Sequence, residues 1–416
     1  MDFLHTTALL CATALVVFGV PGDGESKVFF WSEQSLPVLM EVNTSPSDPP
    51  SFSNQRPDEA RGFCGIECQS NLLPLDQPEQ ERLLGYETMH EDSTCTHTDV
   101  SLRGVDQSIV TENTRKKRHV YGEDGRFVIS DSYFITHYPF ATAVRLSTGC
   151  SGVLVSPKHV LTAAHCVHNG RDYLEETKQL KVGVLQLKTK RERRGRKRSG
   201  QVRGKDQHDI DGRETRIGTF RRRQNRGQQI KRIRQSVASN RPPVFRWTLV
   251  KETRLPQGWI LKVNNNSLSS DYNYALLELK RPVKQKPMDL GVAPVKTSMG
   301  RIHFSSFDAD KSHLDGRGKE RVVYRFCSVA KESDDLIYQH CDAQTGAIGA
   351  GVYVRLREGA WGKWQRRVIG VYTGPQWVEV RDGEQREYNV AVRITPAKYA
   401  QICHWIHGDP KLCKKI

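Results

Sequence analysis

Residues 148–166 read TGCSGVLVSPKHVLTAAHC. Two short apolar runs, GVLVS and HVLTAAH, flank the turn residues Ser156, Pro157 and Lys158, which is the pattern of two strands joined by a tight connection. Working outward, the same kind of run recurs as FATAVRL (140–146), ALLEL (275–279), GVYVRL (351–356), RVIGVYTG (367–374) and YNVAVRI (388–394). Each is five to eight residues long, and turn residues recur between the runs, so the chain from His119 onward reads as all-β. Only residues 396–407 have helical spacing, with Tyr399, Ile402, Cys403 and Ile406 along one face.

Two further stretches carry chemistry-bearing spacing: DYNYALLELKRP (271–282) and CDAQTGAIGAGVYVR (341–355). In that order and approximate spacing, with LTAAHC at 161–166, they make the region from about residue 119 to the C-terminus resemble the trypsin-like serine proteases. The resemblance implies a chymotrypsin-like double β-barrel with a C-terminal helix, and a disulfide between Cys150 and Cys166 across the histidine loop. It also implies three catalytic positions: a histidine base, an orienting carboxylate and a serine nucleophile. His165 matches the first. Asn273 holds the second, and Ile348 the third. An isoleucine has no lone pair and no proton to surrender, so no acyl intermediate can form on it. Asp271 offers a carboxylate two residues upstream, on the same face if the segment is a strand, but about 6 to 7 Å farther from His165. These positions are therefore read as vestigial.

Gly346 and Gly349 preserve the tight turn, so the amides of Gly346 and Ile348 are expected to form an oxyanion-type nest. Ala347 stands where active relatives carry the Asp that pairs with a freed amino terminus, so cleavage is not expected to act as a trigger. Asp342 lies six residues before Ile348, the offset of a trypsin-like specificity acid, although Cys341 is out of step with that pattern and can instead bridge Cys327. Residues 369–374 resemble the strand that pairs with a peptide substrate, leaving a peptide or protein ligand in the inactive cleft as an expectation.

Upstream and within this region the composition changes sharply. Residues 1–24 contain a 13-residue apolar run, Ala8 to Val20, followed by small residues; this is too short to span a bilayer and reads as a signal peptide. Residues 25–118 carry sixteen acidic and nine basic side chains and many Pro and Ser, the composition of a largely irregular pro-segment. It ends in Arg115-Lys116-Lys117-Arg118, a convertase-type processing site at Arg118. The sequons at Asn43 and Asn265 fit a secreted, extracellular glycoprotein. So do ten cysteines, nine of them outside the signal peptide; the odd count leaves one of them free or intermolecular, or has one of Cys64, Cys68 and Cys95 tie the upstream segment to the domain. No second cysteine pair at zinc-finger spacing accompanies Cys64 and Cys68, and no metal or cofactor is expected.

Between residues 188 and 246 there are 21 Lys or Arg and 5 Asp or Glu. This window alone holds a net charge equal to the formal +16 of the whole chain. With almost no apolar stripe it is expected to be a disordered insertion in the 119–416 domain. Arg193, Arg194, Arg196, Lys197, Arg198, Arg221, Arg222 and Arg223 are its densest cationic groups. Guanidinium clusters suit repeating sulfates or phosphates, and heparan sulfate is the first partner expected outside a cell. Nucleic acid is disfavoured because aromatic stackers are nearly absent. The competing readings are an unconventional hydrolase using His165, and an intermolecular assembly built by the upstream cysteines.

Overall fold

A computed structural model describes residues 36–55, 75–104, 125–129, 131–187, 243–260, 270–294, 300–309, 321–357, 363–380 and 384–413. The signal peptide, Cys64, Cys68, Arg118, Asn265 and the eight cationic residues of the insertion lie outside them.

In chain order the upstream residues form β1 (Val38–Pro46), β2 (Phe52–Ser53), α1 (Gln77–Leu84), β3 (Tyr86–His90) and β4 (Cys95–Arg103). The next stretch begins with β5 (Arg126–Ile129) and the single-turn α2 (Ser132–Ile135). It continues through β6 (Ala143–Leu146), β7 (Ser151–Leu154), β8 (His159–Thr162), β9 (Tyr173–Leu174), β10 (Lys181–Leu187), β11 (Pro243–Pro256), α3 (Gln257–Ile260) and β12 (Ala275–Leu279). Strand order β11-β10-β6-β7-β8-β12, closed by β12 pairing β11, makes a six-stranded antiparallel barrel. Closure leaves no free edge among these six strands, and their inward residues, among them Val144, Leu154, Val160, Val182 and Leu277, are fully buried.

The second barrel follows β13 (Asp289–Leu290). It comprises β14 (Arg301–Ser306), β15 (Val322–Glu332), β16 (Leu336–Gln339), β17 (Gly351–Arg357), β18 (Trp364–Val380) and β19 (Glu384–Arg393), in the order β18-β17-β14-β15-β16-β19, closed by β18 pairing β19. The fold expected from the sequence is thus present as two six-stranded barrels, with α4 (Pro396–His407) at the C-terminus over the residues whose spacing predicts it. Helix α4 starts with a Thr395 cap and Pro396 in its first turn, and stops at Gly408 in the left-handed region at φ +65°.

Composition misleads in the upstream segment. The expectation of a largely irregular region is corrected over residues 36–55 and 75–104: β3 adds to β11, β4 to β3 and β1 to β4, extending the first barrel's sheet by three strands. Helix α4 clasps this extension. His404 Nε2 lies 2.8 Å from Glu41, Tyr86 meets Trp405 edge-on at 5.4 Å, and Gln401 donates to the carbonyl of Leu84. The insertion's expected end at 246 also shifts, because residues 243–246 already pair with β10. Cys95 is a buried free thiol, which burial first and the Glu87 charge second push up to about 12.

Candidate functional site

The register of β8 against β12 pairs Ala275 with Thr162, so the residues just before β12 come alongside those just after β8. His165 sits in the short 3₁₀ turn Ala164–Cys166, anchored by the Cys150–Cys166 disulfide, which the resemblance implied. Asn273 follows the 3₁₀ turn Ser270–Tyr272 and is buried. Its Oδ1 accepts the backbone N–H of His165 at 3.1 Å, and its Nδ2 lies 2.8 Å from His165 Nδ1.

That pair of contacts decides the imidazole's proton. With Oδ1 taking a backbone donor, the NH₂ group of the amide is what faces the ring, and an amide nitrogen only donates. Oδ1 also lies 3.2 Å from Nδ1, but the shorter contact, 2.8 Å, is with Nδ2; that contact assigns Nδ1 as the acceptor and the ring proton to Nε2. A carboxylate would hold the opposite tautomer, with Nε2 bare and able to take a proton.

Ile348 lies in the turn between Gly346 (φ +101°) and Gly349 (φ +86°). A Cβ on Gly349 would sit 2.2 Å from the Ser151 carbonyl and 2.3 Å from Thr162 Oγ1, so this position admits only glycine. Ser151 N–H donates to the Ile348 carbonyl at 2.8 Å, Ser151 Oγ donates to the Gly346 carbonyl at 2.6 Å, and Gly349 N–H donates to the Tyr372 carbonyl at 2.7 Å. Because Ser151 follows Cys150, and Cys150 is bridged to the neighbour of His165, the turn and the histidine are held together by a short path of bonds. The structure brings positions 165, 273 and 348 to one place.

The Ile348 side chain is half-buried, packs between the apolar clusters of the two barrels and faces Gly374, where a Cβ would meet its Cδ1 at 3.5 Å. Nearby described hydroxyls are committed elsewhere: Ser151 Oγ to Gly346, and Thr162 Oγ1 to the Ser151 carbonyl at 2.8 Å. Among the described residues, the bonds that fix the turn use the amides of Ala347, Gly349 and Ala350; those of Gly346 and Ile348 take no part in them. Ala347 is fully buried in an apolar cluster, without any group to pair with an amino terminus.

Two sequence expectations change. Asp271 lies in a 3₁₀ turn rather than a strand, and its carboxyl, raised to about 6 by burial first and by Asp335 next, is surrounded by Asp335, Lys398 and Asp334. His165 is not among the charges that act on it, and the residue bonded to the ring is Asn273. Asp342 is exposed and accepts the Gly125 amide at 2.8 Å, so it does not lie on a buried pocket floor; Cys341 bridges Cys327. Missed by sequence reasoning was the buried ion pair of Asp308 with Arg325, whose Nε also bonds the Asp342 carbonyl. It lies beneath the turn, with Ala309 N–H on the Thr345 carbonyl at 2.7 Å, and no motif marks it.

The family described as Trypsin matches residues 127–250. Inactive serine protease 35 of Mus musculus is 45% identical over 399 residues, covering 92% of this chain and 93% of its own. The chain belongs to the trypsin-like serine protease family. Serine protease 23 of Bos taurus is 40% identical over 391 residues, covering 92% of each chain. Among solved structures, "Structure of Glu endopeptidase in complex with MPD" aligns with a TM-score of 0.42 at 17% identity, covering 69% of this chain and 99% of that one. Relatives that match most of this chain thus carry the names inactive serine protease 35 and serine protease 23. No helix among the described residues is long and apolar enough to cross a membrane.

Proposed function

We propose that this protein is a secreted pseudoprotease that acts by binding, with His165, Asn273 and Ile348 as the vestigial base, orienter and nucleophile. The observation that carries the reading is the amide of Asn273 donating to His165 Nδ1 beside a hydrocarbon at 348. Either change alone disables acyl transfer; in a chymotrypsin-like enzyme the Asp-to-Asn change by itself lowers kcat about 10⁴-fold, because it leaves the imidazole in the wrong tautomer. In this reading residues 1–24 direct secretion, Asn43 and Asn265 carry glycans, and cleavage after Arg118 separates the upstream segment from residues 119–416 covalently. Asn43 is exposed on β1, which supports its accessibility.

Binding has two supports. The basic window, with Arg193, Arg194, Arg196, Lys197, Arg198, Arg221, Arg222 and Arg223, matches the charge of heparan sulfate or another polyanion. Beyond Val371, where β17 stops pairing, one edge of β18 from Thr373 onward is not covered by β17, which suits an added peptide strand. A fluorophosphonate probe tests the inactive site: the folded protein should stay unlabelled, and labelling lost in His165→Ala would overturn the reading. Heparin retention of the full chain, set against a variant with the eight cationic residues replaced by Gln, tests the polyanion.

A further inference from the structure

The outer face of the first barrel carries a depression of about 440 Å³ lined by Arg145, Leu146, Ser147, Gly149, Lys181 and Trp247. Its origin lies in the register. Gly183 on β10 stands opposite Arg145 on β6 and opposite Trp247 on β11, so one cross-strand row reads cation, no side chain, indole. A Cβ on Gly183 would meet the Trp247 and Phe245 rings at 3.0 Å; the glycine is what lets the indole lie across the sheet. Phe245, Trp247 and Leu249 alternate onto this face, and Trp247 and Leu249 are 43% and 42% exposed. Lys181 pairs with Leu249, two residues along the same face as Gly183, and is exposed. Here the exposed indole is contiguous with exposed Leu249 and is flanked by two cations.

We propose that this row is a subsite for one sulfated sugar ring of a glycosaminoglycan: the indole of Trp247 stacks on the apolar face of the ring, while Arg145 and Lys181 take its sulfates. The proposal rests on the polyanion reading and adds to it a defined contact on the barrel. The basic window joins the same two strands, four residues along from the Gly183–Trp247 pair, since β10 ends at Leu187 and β11 begins at Pro243. Charge complementarity and a flat aromatic face together favour a sulfated saccharide over an acidic peptide, whose extended backbone would leave the indole without a matching flat apolar partner.

The test uses the full chain and a fully sulfated heparin tetrasaccharide, with its chemically desulfated counterpart and an oligoglutamate of equal charge as controls. Trp247→Ala and Arg145→Gln should each weaken tetrasaccharide binding about tenfold, and Trp247→Phe should retain most of it. The variant with eight Gln in the insertion should lose retention on long-chain heparin yet keep tetrasaccharide affinity within about twofold. Unchanged affinity in Trp247→Ala, with binding abolished in the eight-Gln variant, would overturn the subsite and leave the polyanion reading standing. Absence of any heparin binding by the unmodified chain would remove both. Tighter binding of oligoglutamate, or equal binding of the desulfated sugar, would likewise overturn the sulfated-sugar assignment.

Discussion

One amide sets the chemistry of the cleft. Asn273 donates where a carboxylate would accept, so the imidazole of His165 is held with its proton on Nε2. The ¹⁵N shifts of His165 should show that tautomer, and Asn273→Asp should transfer the proton to Nδ1. Ile348→Ser alone should then give no measurable amidase activity, while Asn273→Asp with Ile348→Ser should yield detectable fluorophosphonate labelling; turnover by the single change at ordinary protease rates would contradict the tautomer argument. Asn273 and Ile348 were legible in the sequence because the apolar tripeptide and the paired glycines around them survive as markers. Asp271 and Asp342 were not, since a single 3₁₀ turn or one displaced cysteine re-aims a side chain without altering the residue count. The Asp308–Arg325 pair was illegible for another reason: one partner follows β14 in an irregular stretch, the other is on β15, and they share no local pattern.

Elements differ in how openly they declare themselves. Helix α4 is readable from apolar spacing, its Thr395 cap and Gly408, all local signals. Strands β1, β3 and β4 are not, because their residues are largely polar and β1 is exposed along most of its length. They owe their form to pairing with β11 and to the clasp of α4, tertiary support that overrides composition. Trp405 is the keystone of that clasp, buried between Tyr86 and Tyr274. Trp405→Ala should lower stability by about 3–5 kcal/mol, and limited proteolysis should then cut first within residues 36–104. Protection there unchanged from the parent would show that the extension holds without α4.

At the scale of the whole molecule, three of the buried histidines among the described residues contribute to acid stability. His159, His168 and His303 are each held down to about 4, by burial in every case, and each Nδ1 has a neighbouring donor: Ser156 Oγ, the Gly170 amide and Tyr324 Oη. All three stay neutral in the fold, whereas the unfolded chain takes up protons near 6.5. Their contribution is therefore complete above about pH 6.5 and drains away as pH falls toward 4, on the order of several kcal/mol in sum. Asp271, raised to about 6, works in the opposite sense and returns part of it. Denaturant midpoints should fall between pH 6.5 and 4, and less steeply in His168→Gln; a flat profile would refute the neutral assignments.

The sheet that β3 begins on β11 changes what a cut at Arg118 would mean. Scission there would double the number of polypeptides without shrinking the particle. Under denaturing conditions two bands should appear, while the native hydrodynamic radius stays that of the uncut chain. The newly made ends would belong to one inseparable body, and anything recognising the mature protein would meet a surface built by both.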